Sequence, residues 1–186
     1  MKKQTLSTIK KTSGKPFFLG LIYFMFCCFT TVTAQRHCWT AVGSDGTVDE
    51  ADLGVVALSS NTAAVRSGTI AATVDIRYNI VATEGLFGGE CSAKTLLVRF
   101  ADNGSSARVV VRLHTFNIRT GVSSILAELN SYNFPPSNVA HAESVSFTGE
   151  FNFETNIYYI EVHLIKTGIN GNPLIRGLQI CGVTIC

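Results

Sequence analysis

Charge is the first thing this chain is short of. Of its 186 residues only 15% are Asp, Glu, Lys or Arg, against about a quarter in ordinary soluble domains, so the places where charge gathers are informative. Tryptophan occurs once, proline four times, and no acidic residue appears before Asp45. Catalytic signatures are missing as well. Without a G-x-S-x-G run there is no strand-to-helix nucleophile turn, and no two carboxylates are nominated by one strand or loop for glycoside hydrolysis. Without a C-x-x-C pair the thiols make a poor zinc site. The glycine-rich "GLFGGE" lacks the lysine and following helix of a phosphate cradle. No basic cluster interleaved with aromatics is present, which argues against nucleic acid as a partner. No internal repeat or low-complexity tract divides the chain.

What is present begins with "MKKQTLSTIKKTSGKP", five lysines and no acid, followed by an uncharged run over 17–34. A basic leader, an apolar stretch and small residues before the cut form a secretory signal, with cleavage expected after Ala34. The run is just long enough to span a bilayer, so an uncleaved anchor is the alternative. Both place the remaining domain outside the cytoplasm, in the periplasm, at the cell surface or beyond it. Past residue 34 ten basic residues face thirteen acidic ones, a net charge of −3, so the basic character of the whole chain belongs to the leader. Residues 35–186 suit one domain with its own core.

That domain keeps four cysteines, Cys38, Cys91, Cys181 and Cys186. In an exported chain an even count favours two disulfides, with three possible connectivities. An extended "CGVTIC" would separate its two sulfurs by roughly 16 Å, which slightly favours Cys38 and Cys91 each pairing with one C-terminal cysteine.

The dominant period is two. "ATVDIRYNIVAT" alternates Val74, Ile76, Tyr78 and Ile80 against Asp75, Arg77 and Asn79, as a half-buried strand does. "KTLLVRFA" and "ARVVVRLHTFNI" flank the turn "DNGSS", whose Asn-Gly is a hairpin signal. "VSSILAELNSY" fits a strand or a helix and is taken as a strand. "NFPPSN" is a loop. "ESVSFTGEFNF", "NIYYIEVHLIKTG" and "NPLIRGLQICGVTIC" are three further strands, with weaker ones at "GVVALS" and "TAAVRSG". About eight or nine short strands predict an all-β fold, an antiparallel β-sandwich of jelly-roll or immunoglobulin-like type with one short N-terminal helix. A closed barrel is the alternative.

The helix is expected at "GSDGTVDEADLG". Thr47-Val48-Asp49-Glu50 has capping-box spacing, with the Thr47 hydroxyl on the Glu50 amide and the Glu50 carboxylate returning to Thr47. Asp45, Asp49 and Asp52 are the calcium candidates, although Glu50 and Val56 stand where an EF-hand requires glycine and glutamate. His114, Glu161 and His163 are the catalytic or transition-metal candidates, since two histidines and one carboxylate make a familiar ligand set. Such a site needs them within about 5 Å of one another in a cleft. Cross-strand polar pairing on a solvated face is the plainer expectation. Trp39, Tyr132 and Tyr159 are candidate ligand-binding aromatics, with Trp39 also suited to packing beside a disulfide. Asn103-Gly104-Ser105 is a glycosylation sequon. Taken together, the sequence predicts a secreted or surface-exposed, non-catalytic binding or structural β-sandwich acting on a glycan or protein, with no cofactor and no metal. The alternative is a small extracellular hydrolase or metal-dependent enzyme on the same scaffold. Membrane contact would come only through an uncleaved N-terminal segment.

Overall fold

The alternating runs pair into two antiparallel sheets. The computed structural model describes residues 38–82 and 93–182; the predicted signal segment, "GLFGGE", Cys91 and Cys186 lie outside them. Eleven strands occur among the described residues. They are β1 (Cys38–Val42), β2 (Thr47–Val48), β3 (Val56–Ser59), β4 (Thr62–Val65), β5 (Ala72–Ile80) and β6 (Ala93–Asp102), then β7 (Ala107–Asn117), β8 (Ser123–Asn130), β9 (Ser137–Thr148), β10 (Asn156–Lys166) and β11 (Leu174–Gly182). The first sheet runs β3-β4-β11-β6-β9, with β1 also paired to β11, and the second runs β2-β5-β10-β7-β8. The protein is therefore an antiparallel β-sandwich. No described helix is long and apolar enough to cross a membrane.

Period-two patterning decides which face each strand buries. Val74, Ile76, Tyr78 and Ile80 of β5, Val109, Val111 and Leu113 of β7 and Tyr158, Ile160, Val162 and Leu164 of β10 are all buried. From the opposite sheet Leu96, Val98 and Phe100 of β6 meet them, with Ile175, Leu178 and Ile180 of β11. Leaving any of these exposed would forfeit about 1.5–3 kcal/mol per large side chain, and a one-residue slip in register would expose a whole row at once.

Three expectations need correction. The Asn-Gly turn does not close a hairpin within one sheet, because β6 pairs with β11 and β9 while β7 pairs with β10 and β8. The turn is a corner between the layers, and a second corner, between β10 and β11, lies against it. Asn103 joins the two corners: its Nδ2 donates to Asn170 O and its Oδ1 accepts from Asn172 N, both at 2.6 Å. Contact here is so close that a Cβ on Gly171 would come within 2.0 Å of Ser106 O. The sequon asparagine thus has a structural task.

The strand expected over "ESVSFTGEFNF" stops at Thr148, since Gly149 takes a φ of +146°. Phe151 and Phe153 then fold onto the Tyr158 ring at 4.5 and 5.0 Å. The strand instead extends backwards to Ser137, directly behind the prolines.

The capping box does not form. Thr47 and Val48 pair with Arg77 and Ile76 as an edge strand, and extended pairing leaves Thr47 unable to cap. Asp49 caps instead, accepting from Ala51 N at 3.0 Å, and the helix is one 3-10 turn, Glu50–Asp52. Cys38 and Cys181 face each other across β1 and β11 and are joined by a disulfide.

Candidate functional site

β10 runs between β5 and β7 in the second sheet. Its inward residues are core, so Tyr159, Glu161 and His163 stand on the outer face. Register then sets their neighbours: Arg77 and Arg112 flank Glu161, Asp75 and Val110 flank His163, and Asn79 and His114 flank Tyr159. Glu128 on β8 sits opposite Arg112. Alternation of short polar and apolar residues on four strands has produced one continuous polar cluster.

Within it, Glu161 Oε2 lies 3.4 Å from His114 Nε2 and 3.3 Å from His163 Nε2. His163 Nδ1 is 2.6 Å from Asp75 Oδ1. An ionised carboxylate only accepts, so the Asp75 contact requires a proton on Nδ1. Arg112 Nη1 is 3.4 Å from His163 Nε2, while Arg112 Nε donates to Glu128 at 2.7 Å. His114 Nε2 is buried, and the Glu161 carboxylate is the polar group that approaches it among the described residues. Burial pushes the His114 pKa down from its ordinary value, and the Glu161 carboxylate opposes this in part. The His114 and Tyr159 rings stack at 4.9 Å and 2°, and the Arg77 guanidinium lies 5.3 Å from the Tyr159 centroid. His114 and Arg77 come from strands on either side of β10. Tyr159 is thus held by side chains of both neighbouring strands.

The sequence candidates His114, Glu161 and His163 do meet, but on an open sheet face with an arginine among them. A guanidinium at His163 Nε2 puts positive charge where a metal cation would need to sit. Among the described residues no group of three His, Cys, Asp or Glu side chains is arranged to hold a metal ion.

Beside this cluster a groove of about 280 Å³ follows β5 where β2 ends after two residues; Asp49, Asp75, Arg77, Asn79 and Glu161 line it with Thr47 and Val48. The acidic stretch forms one wall and is fastened there. Asp52 Oδ2 accepts from Asp75 N at 2.8 Å, and Asp49 N donates to Asp75 O at 3.2 Å. The buried Tyr78 hydroxyl donates to Gly43 O at 2.6 Å. Its pKa is raised well above the tyrosine range by burial, with Asp45 adding to the effect. Asp49 and Asp52 thus each commit an oxygen to a backbone amide, and Asp45 stands against Tyr78.

Trp39 packs against the core from β1. Tyr132 is 55% exposed on the turn after β8, with Arg108 lying 4.9 Å from its ring centroid. The residues that sequence reasoning left out of the site are Asp75, Arg77, Asn79 and Glu128. Each occupies an outward position in an alternating run, but the pairing register that gathers them is not written in any one strand.

The fold and site together define a disulfide-bearing antiparallel β-sandwich with a polar groove on one outer face. No protein-family model matches the chain, and no curated protein matches it. Solved structures do. The C-terminal CBM6 of LamC, a marine laminarinase from Zobellia galactanivorans, aligns over 77% of this chain and 98% of its own, at 14% identity and a TM-score of 0.44. A xylan-binding module, CBM15, aligns over 81% and 99% at 7% identity and a TM-score of 0.47. TmCBM61, in complex with β-1,4-galactotriose, aligns over 78% and 88% at 7% identity and a TM-score of 0.41. At such scores these likenesses carry no weight in assigning a ligand.

Proposed function

We propose that this protein is an exported, non-catalytic binding module that holds a glycan in the groove along β5. The observation that carries this reading is the groove's lining. Asp75, Arg77, Asn79 and Glu161 are planar polar groups gathered on two adjacent strands. Each presents two or more hydrogen-bonding atoms, the arrangement that neighbouring sugar hydroxyls, each both donor and acceptor, can satisfy. Arg77 is 60% exposed and Asp75 48%, so both remain available to a ligand. Three carboxylates against one guanidinium in this lining disfavour polyanions, including nucleic acids. Export fits the basic, uncharged-cored N-terminal segment and the Cys38–Cys181 bridge, since such bonds persist in oxidising compartments.

The test is a glycan array probed with the wild-type protein and with Arg77→Ala/Asn79→Ala. Binding to a defined glycan that the double variant loses supports the reading. Binding that survives in the variant refutes the groove as the site.

A second reading is favoured by the meeting of His114, Glu161 and His163, which would serve proton transfer to a bound sugar or ester. Incubation of array hits with stoichiometric protein, followed by mass spectrometry, separates the two. Intact glycan supports binding alone, and products that disappear with Glu161→Gln support catalysis.

A further inference from the structure

The inward rows of the second sheet change character together at one end. Along β7 the buried Val109, Val111 and Leu113 give way to Thr115 and Asn117. On β10 the buried Leu164, Val162 and Ile160 lead to Tyr158 and then Asn156. β8 follows suit, for an irregularity in its pairing opposite Leu113 and His114 sets Ser124 beside Thr115. A sandwich seals its interior by keeping inward rows apolar; three adjacent rows that turn to hydroxyls and amides at the same level open it instead. The result is a groove of about 440 Å³ at the mouth between the layers, with Leu126 as an apolar wall. It shares no lining residue with the groove along β5.

Its floor is arranged in advance. Asn117 Nδ2 donates to Asn156 Oδ1 at 3.0 Å, and Asn156 Nδ2 to the Tyr158 hydroxyl at 3.3 Å. That hydroxyl also accepts from Asn152 N at 2.8 Å. Asn117 Oδ1 takes the amides of Arg119 and Thr120, both at 3.0 Å, which fixes the β7–β8 turn over one rim. Among the described residues no Arg or Lys lines the groove, and the ionisable carboxylate lining it is Glu150.

We infer that this mouth is a second binding site, for a small, uncharged, polyhydroxylated ligand such as one or two neutral sugar rings. Hydroxyls and amides match sugar hydroxyls, and Leu126 suits the C–H face of a ring. Among the described residues the lining has no cation and one carboxylate, which selects against phosphate, sulfate and uronic acids. The volume lies at the small end of ligand sites, about 300–1,000 Å³. Because Tyr158 points inward and Tyr159 outward, the two grooves lie on opposite faces of the same sheet. A ligand long enough to reach both, or a surface bearing many copies, would be held more tightly than by either alone.

The experiment is a titration of ¹⁵N-labelled protein with maltotriose, cellotriose, xylotriose and galactotriose, read as amide shifts. It is repeated with Ser124→Phe, which fills the mouth from the exposed edge strand, and with the near-isosteric Thr115→Val. Saturable shifts at Asn117, Ser124 and Asn156 are expected. Ser124→Phe should abolish them while leaving any shifts on β5 intact, and Thr115→Val should weaken binding about fivefold. Shifts confined to β5 overturn the second site and leave the first proposal standing. Shifts confined to the mouth do the reverse. No shift with any of the four sugars overturns both.

Discussion

Replacing Cys38 and Cys181 together by alanine should cost this fold a large part of its stability. The two residues lie 143 positions apart, so their bond closes nearly the whole described domain into a loop. Loop-closure entropy for a ring of that length amounts to roughly 5 kcal/mol at 25 °C, and measured losses on removing native disulfides run at about 2–5 kcal/mol. Both cysteines are only half-buried, so the change in burial adds less than about 1 kcal/mol. Among the described residues β1 pairs with β11 alone, and the bridge ties that strand covalently to the sheet. Urea unfolding of Cys38→Ala/Cys181→Ala against the wild type is the assay. With a slope of about 2 kcal/mol/M the midpoint should fall by roughly 1–2.5 M. The slope should also rise, because an unlinked unfolded chain exposes more surface. A loss under about 1 kcal/mol with an unchanged slope would refute the reasoning, since the bridge would then be constraining nothing.

Three further outcomes follow from individual contacts. Tyr78→Phe removes the hydrogen bond to Gly43 O, so it should cost about 0.5–1.5 kcal/mol in urea unfolding; a loss under about 0.3 kcal/mol would mean the acidic stretch is not fastened through it. Asn103→Ala frees both corners at once and should cost about 1–3 kcal/mol, with faster amide exchange at Asn172 as the local signature. A stability and exchange pattern equal to wild type would contradict the corner tie. His114 has a folded pKa below its unfolded value of 6.5, so the unfolded state takes up the proton first and stability should decline as pH falls through about 6.5. Urea midpoints at pH 7.5 and 5.5 should therefore separate less in His114→Gln than in the wild type, and equal separations would show that His114 contributes nothing to the acid sensitivity.

Much of the fold was legible because the physics that sets it is local. The alternation of Val74, Ile76, Tyr78 and Ile80 announces both a strand and its buried face, and β7 and β10 read in the same way. The corner at Asn103 was not legible, because a turn motif reports how the chain reverses and not which sheet the next strand joins. Capping at Thr47 was misjudged for a related reason. The Thr-to-Glu spacing is correct for a cap, but an available edge on β5 recruits Thr47 into a strand and passes the cap to Asp49. The site shows the same limit. Glu161 and His163 could be placed on one face from their spacing of two, but their approach to His114 and Asp75 depends on strand order and register.

The measurement that bears most directly on the central claim is calorimetric titration of an array-selected glycan into the wild type and into Arg77→Ala/Asn79→Ala. Both side chains stand on the outer face of β5 and neither belongs to the core, so the melting temperature should stay within a few degrees of wild type. Loss of their hydrogen bonds to the ligand should weaken affinity by about tenfold or more. An affinity equal to wild type in a folded double variant would contradict the groove along β5 as the seat of binding.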